Sequence, residues 1–353
     1  MRVKANFRAT FLSFRSRLKL IHSQLAGGSL VRLIKAGALN RFVISITFLG
    51  VACAGEAAGQ SIVAHPAGGE EPTAPRFNVE STLVLIPATV TDPLNRFVLG
   101  LRREDFHLFE DGAEQTITHV SGEDAPLSLG LIFDTSASMG DKLRVSREAA
   151  LQFLKTMNPQ DEAFLVEFGD QAELSVGFTS QVEALRDKLI MVDPHGLTAM
   201  LDAAQMALHE MQKAKNPRKA ILIVSDGGDN HSRYTAAEIE SLVREADVQV
   251  YAMGVFEPSI PGLTQEEISG PRLLSELAGQ TGGRAYSASD PNDLPNVAAR
   301  IAIELRNQYV LAYSPKNQDK DGKYRNVELK ITEPVGMPSL KVRWRLGYYA
   351  RSR

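Results

Sequence analysis

The chain has 353 residues, of which 44% are hydrophobic and 23% charged, and its net charge is −3. This length predicts two domains, or one large domain with additional segments. Residues 1–54 hold nine Lys or Arg and no Asp or Glu, so the remainder has 30 basic against 42 acidic side chains, a net charge of −12. So acidic a remainder argues against nucleic acid as the partner, because phosphate contacts need clustered Lys and Arg.

The basic segment 1–54 has the pattern of a leader followed by a signal peptide. Arg41 precedes an apolar run from Phe42 to about Ala54, and small residues suited to cleavage follow. The run is too short for a permanent membrane span, which takes about 20 residues. We therefore expect an exported protein, which is periplasmic, on the outer surface or secreted. The alternative is an N-terminal amphipathic helix on a cytosolic protein.

The single cysteine, Cys53, lies at the end of this apolar run. A lipoprotein signal places Leu three residues before the cysteine, whereas this chain has Gly50 there and Leu49 one position off. Contact with a membrane is expected only through the leader or through lipidation at Cys53. The chain after residue 54 has no cysteine and therefore needs no disulfide.

Residues 55–77 are rich in Gly, Ala, Pro and Glu, which is typical of a flexible linker. Strand patterns follow over 78–125, in "STLVLIPATVTD", more weakly in "RFVLG", and on both sides of Asp111-Gly112. They return over 308–353, in "QYVLAYSP", "YRNVELKITE" and "LKVRWRLGYY". Neither flank alone has enough strands to bury a face. We predict one small β-sandwich built from both flanks; the alternative is two unrelated β appendages.

Residues 126–307 alternate apolar strands with amphipathic helices. Continuous apolar strands, such as "LSLGLIFD" and "KAILIVSD", are typical of a sheet covered on both faces. The segments "EAFLVEFG" and "ELSVGFT" are joined by a tight turn, which predicts an antiparallel hairpin at the sheet edge. The predicted fold class is α/β, with a doubly wound, mostly parallel sheet.

Oxygen-bearing side chains follow two of these apolar strands. "LIFDTSASMG" ends a strand in Asp134, with Ser136 and Ser138 behind it, and "KAILIVSD" ends in Asp226. "HGLTAMLDAA" places Thr198 just before a helix. Ligands of doubly wound sheets bind outside the carboxyl ends of the strands. An all-oxygen set suits a hard cation, Mg²⁺ with Mn²⁺ or Ca²⁺ as competitors.

This order of motifs resembles the von Willebrand factor type A domain and its metal-ion-dependent adhesion site, over about residues 126–307. The resemblance implies that Ser136, Ser138 and Thr198 contact the metal through hydroxyl oxygen. It implies that Asp134 and Asp226 act mainly through bound water and through hydrogen bonds to the hydroxyls. It further implies a coordination position that a protein partner fills with an Asp or Glu carboxylate.

The wider chain resembles the acidobacterial-type exported proteins that carry such a domain. The phrases that carry this second resemblance are "VTDPLNRFVLGLRREDFHLFEDGAEQTI", "GEDAPLSLGLIFDTSASM" and the closing "LGYY".

Each site residue also has an ordinary structural interpretation. Ser136 and Ser138 are good N-cap residues for the helix that follows, and Thr198 is one for the next helix. Asp226 before a glycine is a common turn former. Taken singly these roles are the commoner ones, but their coincidence at one sheet edge favours a binding site.

Other polar residues near these loops receive structural interpretations. Asp202 fits a first-turn acid that favours the helix dipole. Asp229 in "SDGGDN" fits a solvated loop position, and the alternative is a residue that supports the metal ligands from behind. His195 and His231 flank the site loops, without a second imidazole or thiol at a spacing typical of zinc. The loop 256–270, "FEPSIPGLTQEEISG", is either a determinant of partner choice or a neutral insertion.

The sequence therefore predicts an exported bacterial binding module and not an enzyme. Ser136 has Thr and Ala as neighbours, instead of the glycines of a nucleophile elbow. One alternative is a structural component of an envelope complex whose metal site is vestigial or only stabilising. Another is a metal-dependent hydrolase, for which the sequence offers no clear general base.

Overall fold

The computed structural model describes residues 83–122, 125–255, 265–288, 290–334 and 336–352. The predicted leader, linker and lipidation site at Cys53 lie outside these ranges, as does most of the loop 256–270. Among the described residues, no helix combines the length and the apolar character needed to cross a membrane.

The described strands, in chain order, are β1 (Val84–Thr91), β2 (Phe106–Glu110), β3 (Ala113–Gln115), β4 (Ile117–Ser121), β5 (Leu127–Asp134), β6 (Glu162–Phe168), β7 (Ala172–Thr179), β8 (Arg218–Val224), β9 (Gln249–Val255), β10 (Ala285–Ala288), β11 (Tyr309–Tyr313), β12 (Tyr324–Ile331), β13 (Lys341–Trp344) and β14 (Gly347–Tyr349). The α-helices are α1 (Leu143–Leu154), α2 (Val182–Ile190), α3 (Met200–Glu210), α4 (Ala236–Glu245), α5 (Gln265–Gln280) and α6 (Leu294–Arg306).

The central sheet has the strand order β10-β9-β8-β5-β6-β7. All its pairings are parallel except β6 with β7, which form the predicted antiparallel edge hairpin. Every residue of β5 is buried, because helices cover both faces of the sheet. Leu131 packs into the apolar cluster with α1 and α6, and Ile132 packs into the opposite cluster with α3 and α5. The predicted α/β fold class is confirmed.

The flanking strands form two antiparallel sheets, in the orders β13-β1-β11-β4 and β14-β12-β2-β3. Both sheets mix strands from the two ends of the chain, since β1 lies between β11 and β13 and β2 lies between β12 and β3. Their inner faces share one apolar cluster that includes Ile86, Leu108 and Leu329. The shared sandwich is therefore confirmed, and the interpretation as two separate appendages is wrong.

Two strand predictions in the sandwich differ from the structure. The weak segment "RFVLG" contributes only an isolated bridge between Thr91 and Phe97. The segment "LKVRWRLGYY" divides into β13 and β14, which belong to different sheets. A chain that passes from one sheet to the other needs a break in the strand pattern, and Arg345 and Leu346 supply it.

A buried polar network joins the sandwich to the α/β unit. Glu304 on α6 is 1% exposed, and its carboxylate accepts a hydrogen bond from Nη2 of Arg343 on β13 at 2.7 Å. The same carboxylate accepts from the hydroxyl of Tyr286 at 2.5 Å. Gln308, just after α6, donates to the hydroxyl of Tyr251 at 2.9 Å. The bond from Arg343 ties the last helix of the α/β unit to the sandwich, and the tyrosine contacts tie the same segment to the central sheet.

Candidate metal-binding site

Asp134 is the last residue of β5, and its carboxylate is fully buried at the carboxyl edge of the central sheet. Its Oδ1 accepts a hydrogen bond from the backbone N–H of Ser136 at 2.9 Å. Its Oδ2 accepts from the hydroxyl of Ser225 at 2.6 Å. Ser225 follows β8 and directly precedes Asp226. The ends of two neighbouring parallel strands therefore meet at Asp134, as expected for this sheet edge.

Ser136 and Ser138 place their hydroxyl oxygens 3.0 Å apart. Ser136 precedes a 3-10 turn over Ala137–Lys142 and makes no side-chain capping bond to it among the described residues. Helix α1 begins after Lys142, which is its N-cap residue. The helix-capping interpretation is therefore wrong for both serines, and their hydroxyls lie side by side at the turn instead.

Thr198 lies in a loop held between the Asp134 turn and the segment after β8. The backbone N–H of Ala137 donates to the carbonyl of Gly196 at 3.1 Å, which ties this loop to the serine turn. The backbone N–H of Thr198 donates to Oδ1 of Asn230 at 2.9 Å, and its carbonyl accepts from the Asn230 N–H at 3.0 Å. Ala199 is the N-cap residue of α3, so Thr198 is not the cap that sequence analysis allowed.

Asp226 is 4% exposed, and only one of its two carboxylate oxygens has a polar partner among the described residues. Nζ of Lys142 lies 3.2 Å from Oδ2. Oδ1 is buried and accepts no hydrogen bond from the described residues. A buried carboxylate oxygen without a donor is costly. A cation at this position would satisfy it.

The two buried acids of the site, Asp134 and Asp226, repel each other electrostatically. Burial, and then the charge of Asp226, raise the pKa of Asp134 to about 7, although hydrogen bonds from Ser136 and Ser225 oppose the shift. Two buried carboxylates side by side need positive charge nearby. The donors here are all oxygen, a set that fits a hard divalent cation such as Mg²⁺.

Within the described ranges, no group of three or more His, Cys, Asp or Glu side chains is arranged to hold a metal ion. The predicted set contains only two carboxylates, so hydroxyl and water oxygens would have to complete the coordination. This composition separates the site from acid-rich calcium sites and from His or Cys sites for zinc.

Two acids beside the site act as braces for its loops. Asp229, predicted to be a solvated loop residue, is instead half-buried, and its Oδ2 accepts from the Leu201 N–H at 2.8 Å and the Ser232 hydroxyl at 2.6 Å. Asp202 does lie in the first turn of α3, and its Oδ1 also accepts from the Arg233 N–H at 2.8 Å. Both carboxylates connect α3 to the segment after β8.

The histidines near the site take part in loop structure. Nδ1 of the exposed His195 lies 2.8 Å from the carbonyl oxygen of Asp193 in its own loop. His231 donates its backbone N–H to the Thr198 carbonyl at 3.1 Å. Two other residues lie at the site without having been predicted from the sequence, Ser225 and Lys142. Ser225 is signalled only by its place directly before Asp226.

Gly227 and Gly270 bring helix α5 into backbone contact with the site. Gly227 has a φ of +86°, in the left-handed region that favours glycine. A Cβ added to Gly270 would lie 2.3 Å from the Gly227 carbonyl oxygen. Helix α5 begins at Gln265, whereas the sequence pattern predicted a loop as far as residue 270. The additional first part of the helix carries Gly270 against the residue that follows Asp226.

Replacing Gly270 with alanine is expected to destabilise the protein by about 1 to 3 kcal/mol, because the two backbones must separate. The free energy of unfolding from urea titration measures this effect. Gly279→Ala is the matched control in the same helix, where an added Cβ meets open space. That change is expected to be neutral or to stabilise by up to about 1 kcal/mol. Equal effects of the two substitutions would contradict the packing argument.

Residues 129–228 match the family model of the von Willebrand factor type A domain. This match supports a von Willebrand factor type A domain in this part of the chain. The A domain match includes Asp134, both serines, Thr198 and Asp226.

Two curated proteins resemble about half of the chain. An uncharacterized protein of Borreliella burgdorferi is 23% identical over 200 residues, which are 50% of this chain and 58% of that protein. The mouse inter alpha-trypsin inhibitor heavy chain 4 is 28% identical over 197 residues, 49% of this chain and 20% of that protein. The chain thus spans less than two thirds of either relative.

Among solved structures, the von Willebrand domain of a type V pilus tip protein from Porphyromonas gingivalis is similar. It is 14% identical, with a TM-score of 0.43, and the similarity covers 51% of this chain and 95% of that one.

Proposed function

We propose that this protein is an exported bacterial binding module whose A domain recognises a protein partner through a Mg²⁺-type metal-ion-dependent adhesion site. Ser136, Ser138 and Thr198 supply hydroxyl oxygens to the ion. Asp134 and Asp226 hold it through water and through hydrogen bonds to those hydroxyls. An Asp or Glu carboxylate of the partner completes the coordination, and Mn²⁺ or Ca²⁺ can compete with Mg²⁺.

The observation that carries this proposal is the unsatisfied oxygen of Asp226. Oδ1 is buried without a donor among the described residues, at the sheet edge where Asp134 is also buried. A fold that needed these acids only as turn formers would leave them hydrated or fully hydrogen-bonded. Neutral hydroxyl ligands would also leave a bound ion strongly electrophilic, which favours an anionic group from a partner.

Exposed apolar side chains beside the site support a protein as the partner. Leu197 directly precedes Thr198 and is 46% exposed. Ile268 is 58% exposed and lies two residues before Gly270, which contacts the loop after Asp226. An acid on the partner that is flanked by apolar side chains could engage the ion and these two residues together.

The hydroxyl geometry favours binding over hydrolysis. A serine nucleophile needs a base within hydrogen-bond reach. The Ser136 hydroxyl is paired with that of Ser138, while the imidazole of His195 contacts the Asp193 carbonyl. We therefore propose that the protein is not an enzyme.

The basic segment and apolar run of residues 1–54 support export to the periplasm, the outer surface or the medium. Attachment to a membrane would come only from the leader or from lipid on Cys53. We also propose that the chain belongs to the acidobacterial-type exported proteins with this domain. The segments "VTDPLNRFVLGLRREDFHLFEDGAEQTI" and "GEDAPLSLGLIFDTSASM" and the closing "LGYY" support this assignment.

Capture of partners from envelope extracts tests the proposed function. The wild-type protein should retain a partner in Mg²⁺ and release it on chelation, and Asp226→Ala should retain none in either buffer. Asp187→Ala, at an exposed position of α2, is the control and should behave as wild type. Circular dichroism checks that both variants are folded. A partner that remains bound to Asp226→Ala in chelator would instead support a metal-independent scaffold.

A further inference from the structure

Lys142 places a positive charge in the candidate metal site. It lies eight residues after Asp134, at the end of the 3-10 turn that carries Ser138. Its Nζ is 3.2 Å from Oδ2 of Asp226, and its side chain is 20% exposed. The ammonium group therefore sits between a buried carboxylate and the surface.

The ion pair of Lys142 with Asp226 offsets part of the negative charge that is buried in the metal-free site. Asp134 and Asp226 are both buried, and Asp134 is already satisfied by hydrogen bonds from Ser136 and Ser225. Asp226 receives its positive charge from Lys142. A divalent ion at the same carboxylate would bring two positive charges close to the ammonium. Like charges at such a distance repel strongly in a partly buried place, so the two cations exclude each other.

We propose that Lys142 is a tethered counter-ion that occupies the Asp226 carboxylate when no metal is bound and is displaced when a divalent cation enters. This inference rests on the proposed metal site. The lysine stem is long and flexible, so the ammonium can leave without rearrangement of the sheet. The tethered ion keeps the metal-free domain folded, and it lowers the affinity for the metal because the ion must compete with it.

The displaced ammonium also has a consequence for the partner. Lys142 remains anchored at the start of α1, beside the turn that carries the two serines. Once displaced, it adds a positive charge at the rim of the site, where a partner carboxylate would approach. Metal binding would thus present a partner carboxylate with two positive charges, the metal ion and the displaced Lys142.

Calorimetric titration with Mg²⁺ and Mn²⁺ in chelator-treated buffer tests this role. Lys142→Met is expected to bind either metal about 5- to 150-fold more tightly than wild type, the usual range of coupling between two ligands. Lys142→Arg keeps the charge and should bind close to wild type. Lys330→Met, an exposed substitution in the sandwich with the same change of net charge, controls for long-range electrostatics. Lys142→Gln repeats the experiment should the methionine variant fail to fold.

Unchanged or weaker metal binding by folded Lys142→Met and Lys142→Gln, with normal binding by wild type, would overturn the counter-ion and leave the metal site standing. Absence of binding by wild type and all variants would overturn the metal site and, with it, the counter-ion. Metal binding by Lys142→Met but not by wild type would support both the metal site and the counter-ion role. It would also show that Lys142 prevents the wild-type site from binding the metal.

Amine labelling gives an independent readout. The rate at which acetic anhydride modifies Lys142, followed by mass spectrometry, should rise several-fold on addition of Mg²⁺, while the rate at Lys330 stays constant. A rate at Lys142 that falls or does not change in saturating metal would contradict displacement.

Discussion

Asparagine in place of Asp134 should abolish the stabilisation of the protein by Mg²⁺ or Mn²⁺ while the fold remains intact. Asparagine has nearly the same shape, and its amide can still accept from the Ser136 N–H. It removes the negative charge that a divalent ion needs at this buried position. Thermal melts with and without metal measure the response, and Asp187→Asn on α2 should keep the wild-type shift. A variant at Asp134 that still responded to metal would remove this carboxylate from the site.

The same substitution should raise the stability of the metal-free protein above pH 7. Burial and the Asp226 charge raise the pKa of Asp134 from 3.8 to about 7. Between these two values the folded state binds a proton at Asp134 that the unfolded state has lost, so the contribution of Asp134 to stability is highest below about pH 4 and falls as the pH rises to 7. At one pKa unit per 1.36 kcal/mol, the charge costs about 2 to 4 kcal/mol at pH 8.

Urea unfolding in chelator at pH 5 and pH 8 measures this cost. The difference in free energy of unfolding between Asp134→Asn and wild type should widen from pH 5 to pH 8 in favour of the variant. Other acids titrate in both proteins and cancel in the difference. A difference that does not depend on pH would mean that Asp134 keeps an ordinary pKa.

Methionine in place of Arg343 should lower the free energy of unfolding by about 3 to 5 kcal/mol, the usual effect of leaving a buried charge without its partner. Glu304 is almost completely buried and would retain only tyrosine hydroxyls as donors. A second change, Glu304→Gln, removes the stranded charge. The double variant should therefore recover most of the lost stability.

Arg144→Met is the matched control for this effect. Arg144 pairs with Glu148 on the exposed face of α1, at 2.7 Å, and such pairs contribute about 0.3 to 0.5 kcal/mol. Urea titration compares all four proteins. A double variant as unstable as Arg343→Met would show that packing of the arginine stem, and not the buried charge, holds the sandwich against α6.

The sheet and the position of the site were predictable because they depend on local patterns. β5 and β8 are continuous apolar runs, which indicate a sheet covered on both faces. Asp134 and Asp226 follow these two runs, and parallel neighbours end at one edge. The topology therefore brings the two carboxylates together without any information about side-chain contacts. The assignment of Asp134, Ser136, Ser138, Thr198 and Asp226 to a metal remains a prediction.

The residues that sequence analysis missed depend on geometry that no local pattern contains. In the sequence, Lys142 is an ordinary charged residue near the start of a helix. Its ammonium group reaches Asp226 only because of the path that the backbone takes through the 3-10 turn. Glu304 reads as a solvated acid on an amphipathic helix, and its burial depends on Arg343 from a strand of the other domain. The contact of α5 with the loop after Asp226 depends on the close approach of two glycines. Each case needs the tertiary structure.

The interleaved sandwich has a consequence for synthesis on the ribosome. Val84 pairs with Tyr313, 229 residues later, and both neighbours of β1 come from the part of the chain beyond residue 308. At translation rates of about 5 to 20 residues per second, β1 stays without a neighbour for about 10 to 50 s. An open strand edge of this kind is prone to aggregation. Chaperone protection is therefore needed most until β11 and β13 have been made, and a chain that stops after α6 should be retained by chaperones although it contains every strand of the central sheet.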